Sequence, residues 1–165
     1  MTHTKKTVLV YTIVVIASIS IALMCRFIFG ITIIFGNSMY PTLENRSLAT
    51  RTLHFEPSDI KRGVVVTCSH DNELVKRVVA IPGDKVAILN GEVYVNGKKE
   101  TPYIGEDILS YTPILYENNL TAPEIILGEN EYYLLGDNRN HSSDSHIFGP
   151  VRFEDINGIN VKPIF

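Results

Sequence analysis

Ser38 and Lys76 are the residues whose types and surroundings could together break an acyl bond. Ser38 stands in Gly36-Asn37-Ser38-Met39-Tyr40-Pro41-Thr42, a segment that must turn sharply. Such a turn exposes both a hydroxyl and neighbouring backbone N–H groups, the raw material of an oxyanion hole. Lys76 stands in the apolar run Glu73–Ala80, where strand alternation puts Leu74, Lys76 and Val78 on one face and Val75, Arg77 and Val79 on the other. If the first face is the buried one, desolvation lowers the ammonium pKa, and a lysine brought to roughly 7–8 can serve as a general base. Arg77 holds its proton too tightly for that task. Each residue alone has a plainer reading. Strand lysines commonly lie on a solvated face or guard an edge, and a serine outside a G-x-S-x-G setting is commonly a loop serine. Lys61, Lys85, Lys98 and Lys99 sit in polar or turn-like surroundings, and Ser47, Ser58, Ser69 and Ser110 read as turn or cap residues.

A polar loop, Gly136–Ser145 (GDNRNHSSDS), is the third chemistry-bearing segment, although these residue types also cluster in ordinary turns. His141, Asp144 and His146 match no ligand spacing such as H-E-x-x-H, so no metal and no cofactor is expected. Asn45-Arg46-Ser47, Asn119-Leu120-Thr121 and Asn140-His141-Ser142 fit the glycosylation sequon, a triplet common by chance. Cys25 and Cys68 show neither framework nor metal spacing and read as two isolated, mostly buried thiols.

The elements that must position these groups follow from composition. The chain has 165 residues and a formal net charge of −3, enough for one modest domain and an anchor, with no basic patch for nucleic acid. Thr7–Cys25 is uncharged and mostly apolar; as a helix it spans roughly 28 Å, close to a ~30 Å hydrocarbon core. A cleaved secretion signal is the alternative, suggested by Lys5 and Lys6. The apolar run is too long for one and no small-x-small site follows, so the span reads as an uncleaved anchor. Lys5 and Lys6 before it, against Arg26 after it, place residues 1–6 in the cytoplasm and 26–165 outside, by the positive-inside rule.

Beyond the span, Gly30 is expected to break the apolar Phe27–Phe35 into a strand near the lipid surface, which keeps Ser38 within roughly 28 Å of Gly30. The remainder reads as β. Gly63–Cys68 and Glu73–Ala80 flank a four-residue loop, Ser69–Asn72, and Lys85–Leu89 and Glu92–Val95 flank Asn90-Gly91, the strongest hairpin signal here. Asn96-Gly97 signals another turn. Thr101–Asn130, with Pro102, Pro113 and Pro123, reads as an irregular insertion. Glu131–Leu135, Ile147–Val151 and Ile156–Val161 read as strands, and no helical pattern appears outside the anchor.

Taken together these segments resemble the type I signal peptidases, particularly the small single-span bacterial kind. Gly36–Leu43 resembles the family's S-M-x-P-T-L nucleophile box, Val75–Asp84 its lysine box, and Gly136–Ser145 its G-D-N-R-x-x-S-x-D-S box, in order and behind an anchor. The resemblance implies a mainly antiparallel β fold of partly open barrels, with a reduced second lobe around 84–130. It implies Ser38 as nucleophile, Lys76 as general base, and Ser142 as the residue that hydrogen-bonds and orients the lysine. Asp144 and Arg139 would form a supporting ion pair. Where other members place a second oxyanion hydroxyl stands Gly36, as in many Gram-positive members, which leaves backbone donors, chiefly the Ser38 N–H. Two more departures are Arg62-Gly63-Val64 for R-G-D, and His146 where an arginine usually follows.

The implied activity is endoproteolytic removal of N-terminal signal peptides from secreted preproteins at the bilayer, cutting after small residues in an Ala-x-Ala pattern. Ile34, Phe35 and Val75, which flank the dyad in sequence, are the expected pocket walls. A non-catalytic assembly factor for surface proteins such as pilins is the rival reading, and intact Ser38 and Lys76 argue against it. A self-cleaving serine–lysine regulator is a third, opposed by the anchor and by the lack of a DNA-binding module.

Overall fold

A computed structural model of the protein describes residues 3–100 and 120–164. Helix α1 (His3–Ile28) carries the apolar run: Thr7–Met24 has a mean hydropathy of 2.4 and none of it packs against the rest of the chain. An isolated helix apolar on all sides is a candidate membrane span. It runs three residues past Cys25, and strand β1 (Phe29–Ile33) follows at once, so Gly30 lies within the strand.

The remaining strands are β2 (Leu48–Thr52), β3 (Val65–His70), β4 (Asn72–Ala80), β5 (Lys85–Leu89), β6 (Glu92–Val95), β7 (Lys98–Lys99), β8 (Ala122–Ile126), β9 (Glu131–Leu135), β10 (Val151–Arg152) and β11 (Ile156–Pro163). They make a curled seven-stranded sheet, ordered β1-β2-β11-β3-β4-β9-β10, and a four-stranded sheet, ordered β7-β6-β5-β8; all their pairings are antiparallel. The fold is thus mainly antiparallel β with a smaller second sheet, as expected. Asn90-Gly91 and Asn96-Gly97 both take the left-handed conformation that two-residue hairpin turns require, closing β5–β6 and β6–β7.

Four expectations change. The β3–β4 ladder continues to His70↔Asn72 around a left-handed Asp71, so the four-residue loop shrinks to a tight reversal. Ile147–Val151 is not a strand. Asp144 caps a short helix, α2 (Ser145–Phe148), by accepting from the His146 N–H, and Gly149 at φ +87° ends it before β10. Within Thr101–Asn130, Ala122–Ile126 forms β8, while 101–119 lie outside the described residues. Strand β2, unread in the sequence, is specified by its neighbours: it pairs with β1 and β11.

Three apolar clusters hold this together. Val66, Val78, Tyr132, Leu134 and Ile156 fill the large sheet, Val79, Val86, Ile88 and Leu135 join it to the small one, and Ile34, Met39, Leu43, Ala49, Val65 and Val161 lie beneath the Ser38 segment. Arg62 and Asn96 both donate to the buried Asp84 at the junction of the sheets, the Arg62 Nε at 2.7 Å and the Asn96 Nδ2 at 2.8 Å.

Candidate active site

The third cluster is what presents Ser38. Met39 and Leu43 are 1% and 0% exposed and anchor the turn from below, so Ser38 is left at the surface of the core. Gly36 takes φ +87° and donates to Asn45 Oδ1 at 3.0 Å; Arg46 and Ile34 close the loop through a 2.7 Å backbone bond. The Tyr40–Pro41 peptide is cis.

Lys76 comes from β4, which crosses beneath this turn between β3 and β9. Its Nζ lies 2.8 Å from Ser38 Oγ, and the residue is 2% exposed. Burial holds the ammonium pKa below the ordinary lysine value, against the opposing pull of Asp144, Cys68 and Asp137. Cys68 is buried nearby, and burial pushes its thiol up to about 11. Alternation alone leaves open which face of β4 is inside. From Lys76 to Ala80 both are: Lys76 faces the site, and Arg77, 0% exposed, faces the other way.

A cation buried in that second position needs a carboxylate. Asp137 supplies it: Arg77 Nε and Nη2 donate to its two oxygens at 2.8 and 2.7 Å, with both side chains 0% exposed. Arg77 also donates to the Gly63 carbonyl at 2.6 Å, and Thr42 Oγ1 donates to Asp137 at 2.5 Å. The Gly136 loop is thereby bound to the Ser38 loop. Asn138 adds two more ties, from its backbone N–H to Ser38 O at 2.9 Å and from Nδ2 to Asn37 O at 3.2 Å. The Asn37 carbonyl and the Ser38 N–H belong to one planar trans peptide, so fixing the carbonyl toward Asn138 aims the N–H the opposite way. Gly136 stands where a Cβ would come within 2.3 Å of Ser142 Oγ and 2.6 Å of Ser38 O, so no larger residue fits.

Sequence reasoning missed Asp137, Asn138, Thr42 and Arg77. Two adjacent cations in an otherwise apolar strand were a usable signal, because they point to opposite faces and one is buried when either face is packed, both when both are.

The supporting residues are arranged differently from expectation. Ser142 is buried and donates to Asp144 Oδ2 rather than to Lys76; Asp144 Oδ2 also accepts from the Gly136 N–H at 2.9 Å. The ion pair expected between Asp144 and Arg139 is replaced by two others. Asp144 Oδ1 meets His146 Nδ1 at 2.6 Å, a contact favoured by position at the first turn of α2, and Arg139 reaches both oxygens of Glu100 at 3.0 and 2.9 Å. Asp144 is therefore the hub of this wall, one carboxylate holding Ser142, Gly136 and His146.

A cleft of about 310 Å³ opens beside the dyad, lined by Ser38, Lys76, Val75, Phe35 and residues of β1. Val75 and Phe35 are among its lining residues, and Phe35 is 78% exposed. Ile34 does not line the cleft: one residue past β1 it turns into the core with Met39 and Leu43, where it is 2% exposed.

Comparison with known proteins identifies the family. Residues 5–165 match the family described as signal peptidase, peptidase S26. Signal peptidase I S of Bacillus subtilis is 33% identical over 86% of this chain and 79% of its own length. Signal peptidase IB of Staphylococcus aureus is 32% identical over 87% of this chain and 84% of its own. A crystal structure of a signal peptidase I from Enterococcus faecalis matches 60% of this chain and 94% of its own, at 21% identity and a TM-score of 0.44. Matched over nearly its whole length by the family and by two such relatives, the chain belongs to the signal peptidases of peptidase family S26, serine endopeptidases that remove signal peptides.

Proposed function

We propose that Ser38 is the nucleophile and Lys76 the general base of this endopeptidase. The observation that carries the reading is the 2.8 Å approach of Ser38 Oγ to a lysine nitrogen that is 2% exposed. Neutral Lys76 takes the hydroxyl proton as Ser38 Oγ attacks the scissile carbonyl. The oxyanion is held by backbone donors, chiefly the Ser38 N–H. As the tetrahedral intermediate collapses, the new amino terminus leaves with the proton from Lys76 and the acyl-enzyme remains. Lys76 then deprotonates water for hydrolysis. Ser142, Asp144 and Arg139 support the site at one remove, through the wall that Gly136 shares with Ser38.

Residues 7–25 anchor the protein in the cell membrane, 1–6 stay in the cytoplasm, and 26–165 form the extracytoplasmic catalytic domain, with 84–130 as its second lobe. Sharing a bilayer with the preprotein raises effective concentration. Val75 and Phe35 wall a space for small side chains, which favours an Ala-x-Ala pattern before the cut.

The test is cleavage of an Ala-x-Ala preprotein by the full chain in detergent, beside Ser38→Ala and Lys76→Ala. Cutting at the expected bond by the wild type alone supports the assignment. Equal cutting by Lys76→Ala refutes the base, and silence of a folded wild type on several preproteins favours an assembly factor.

A further inference from the structure

The cleft beside the dyad is polar at its far end. Glu73 lies three residues before Lys76 on β4, about 10 Å at strand spacing. Arg51 reaches it from β2, its Nη1 donating to Glu73 Oε1, to Thr67 Oγ1 at 2.9 Å and to Asn157 Oδ1 at 3.2 Å. These bonds use one guanidinium nitrogen. Among the described residues Arg51 Nε is buried without a hydrogen-bond partner, and neither Arg51 Nη2 nor Glu73 Oε2 has one. The Arg51 side chain is 19% exposed and that of Glu73 46%. Together they offer a donor and an acceptor to the same cleft that holds Ser38 and Lys76.

Resting on the dyad and anchor assigned above, we infer that Arg51 and Glu73 form a subsite for a polar, uncharged side chain at the fourth or fifth residue before the cut, with a carboxamide as the best fit. The cleft runs along β1 from Phe35 back toward Ile31, that is, toward the end of α1, where a substrate arriving from the same bilayer must enter. A peptide extended beside β4 advances about 3.3 Å per residue. With the attacked carbonyl at Ser38 and Lys76, the side chain facing Glu73 is three or four residues upstream of the residue that bears it. A glutamine or asparagine there gives its oxygen to Arg51 Nη2 and its N–H₂ to Glu73 Oε2. An apolar side chain strips water from the ion pair and returns no hydrogen bond. A lysine satisfies Glu73 but is repelled by Arg51, and an aspartate the reverse.

The experiment uses the full-length protein in detergent and preprotein-derived peptides that differ only at these two positions, bearing Gln, Leu, Lys or Asp. At the position facing the pair, Gln is expected to exceed Leu on the order of tenfold in kcat/KM, mostly through KM. Glu73→Gln, a change at a half-exposed side chain, removes the described carboxylate partner of Arg51 and is expected to make Asp the favoured residue. Equal kcat/KM for Gln and Leu at both positions, or an unchanged Gln-to-Asp order in Glu73→Gln, overturns the subsite. Binding of the same peptides to Ser38→Ala, read by fluorescence anisotropy, reports the preference without chemistry, so failure of the dyad and failure of the subsite are separately visible.

Discussion

Asp137→Ala tests whether the buried ion pair holds the Ser38 and Gly136 loops together. Arg77 and Asp137 are both 0% exposed, and Asp137 accepts three hydrogen bonds, two from the guanidinium and one from Thr42. The alanine removes all three and leaves Arg77 charged without the Asp137 carboxylate, while its bonds to the Gly63 carbonyl and Thr42 Oγ1 remain. Removing one partner of such a pair costs about 3–5 kcal/mol. At about 2.1 cal/mol/K per residue, a domain of this size loses roughly 10–18 °C in Tm. Glu73→Ala is the control, since its pair with Arg51 is half-exposed and contributes about 0–1 kcal/mol, within roughly 3 °C. The assay is thermal unfolding in detergent by circular dichroism, with preprotein cleavage followed in parallel. Arg77→Met with Asp137→Leu separates the charge penalty from packing: the pair of apolar residues is expected to recover most of the lost stability. An Asp137→Ala melt within about 3 °C of the wild type refutes the reasoning, as does a double variant no more stable than the single one.

Three further outcomes follow from the same geometry. As the proposed general base Lys76 would act in its neutral form, so kcat/KM should rise with pH through its depressed pKa. Asp144 is the charge that most opposes that depression, and Asp144→Asn should therefore move this acid limb to lower pH; a limb unmoved or moved upward contradicts the assignment. Asn138→Ala releases the Asn37–Ser38 peptide and should lower kcat about tenfold with KM and the acid limb unchanged, a smaller loss than the ~10²–10³ for deleting an oxyanion donor outright. Gly136→Ala forces a Cβ against Ser142 and Ser38 O and should cost about 1–3 kcal/mol together with most of the activity, measured by urea unfolding and cleavage.

What the sequence made legible was what local rules control. Asn90-Gly91 and Asn96-Gly97 demanded hairpins, apolar runs between turn signals marked β3, β4 and β9, and a long uncharged run marked α1. Ser38 and Lys76 were legible as a pair only because three segments resemble one family; their approach across β4 is a tertiary fact. Ile147–Val151 misled because four residues of helix capped by Asp144 carry no periodicity to detect, and an apolar run beside a glycine imitates a strand. β2, with Leu48 and Ala49 as its apolar residues, is a strand through its partners rather than its propensity. The rearranged pairing of Asp144 with His146 and of Arg139 with Glu100 depends on side-chain reach between loops, which spacing does not encode.

Lys76 and Arg77 are neighbours, yet a single peptide link separates two compartments with opposite rules. One, on the proposed mechanism, requires a cation able to give up its proton; the other holds a cation that never does and is matched by a planar carboxylate. The dipeptide is therefore directional. Written as Arg-Lys it keeps the charge, the length and the strand propensity of the original. It sets a permanent cation before Ser38 and a point charge where a two-pronged donor is required. A single transposition would then disarm the chemistry and unfasten the scaffold together, so at this point in the chain word order carries what composition cannot.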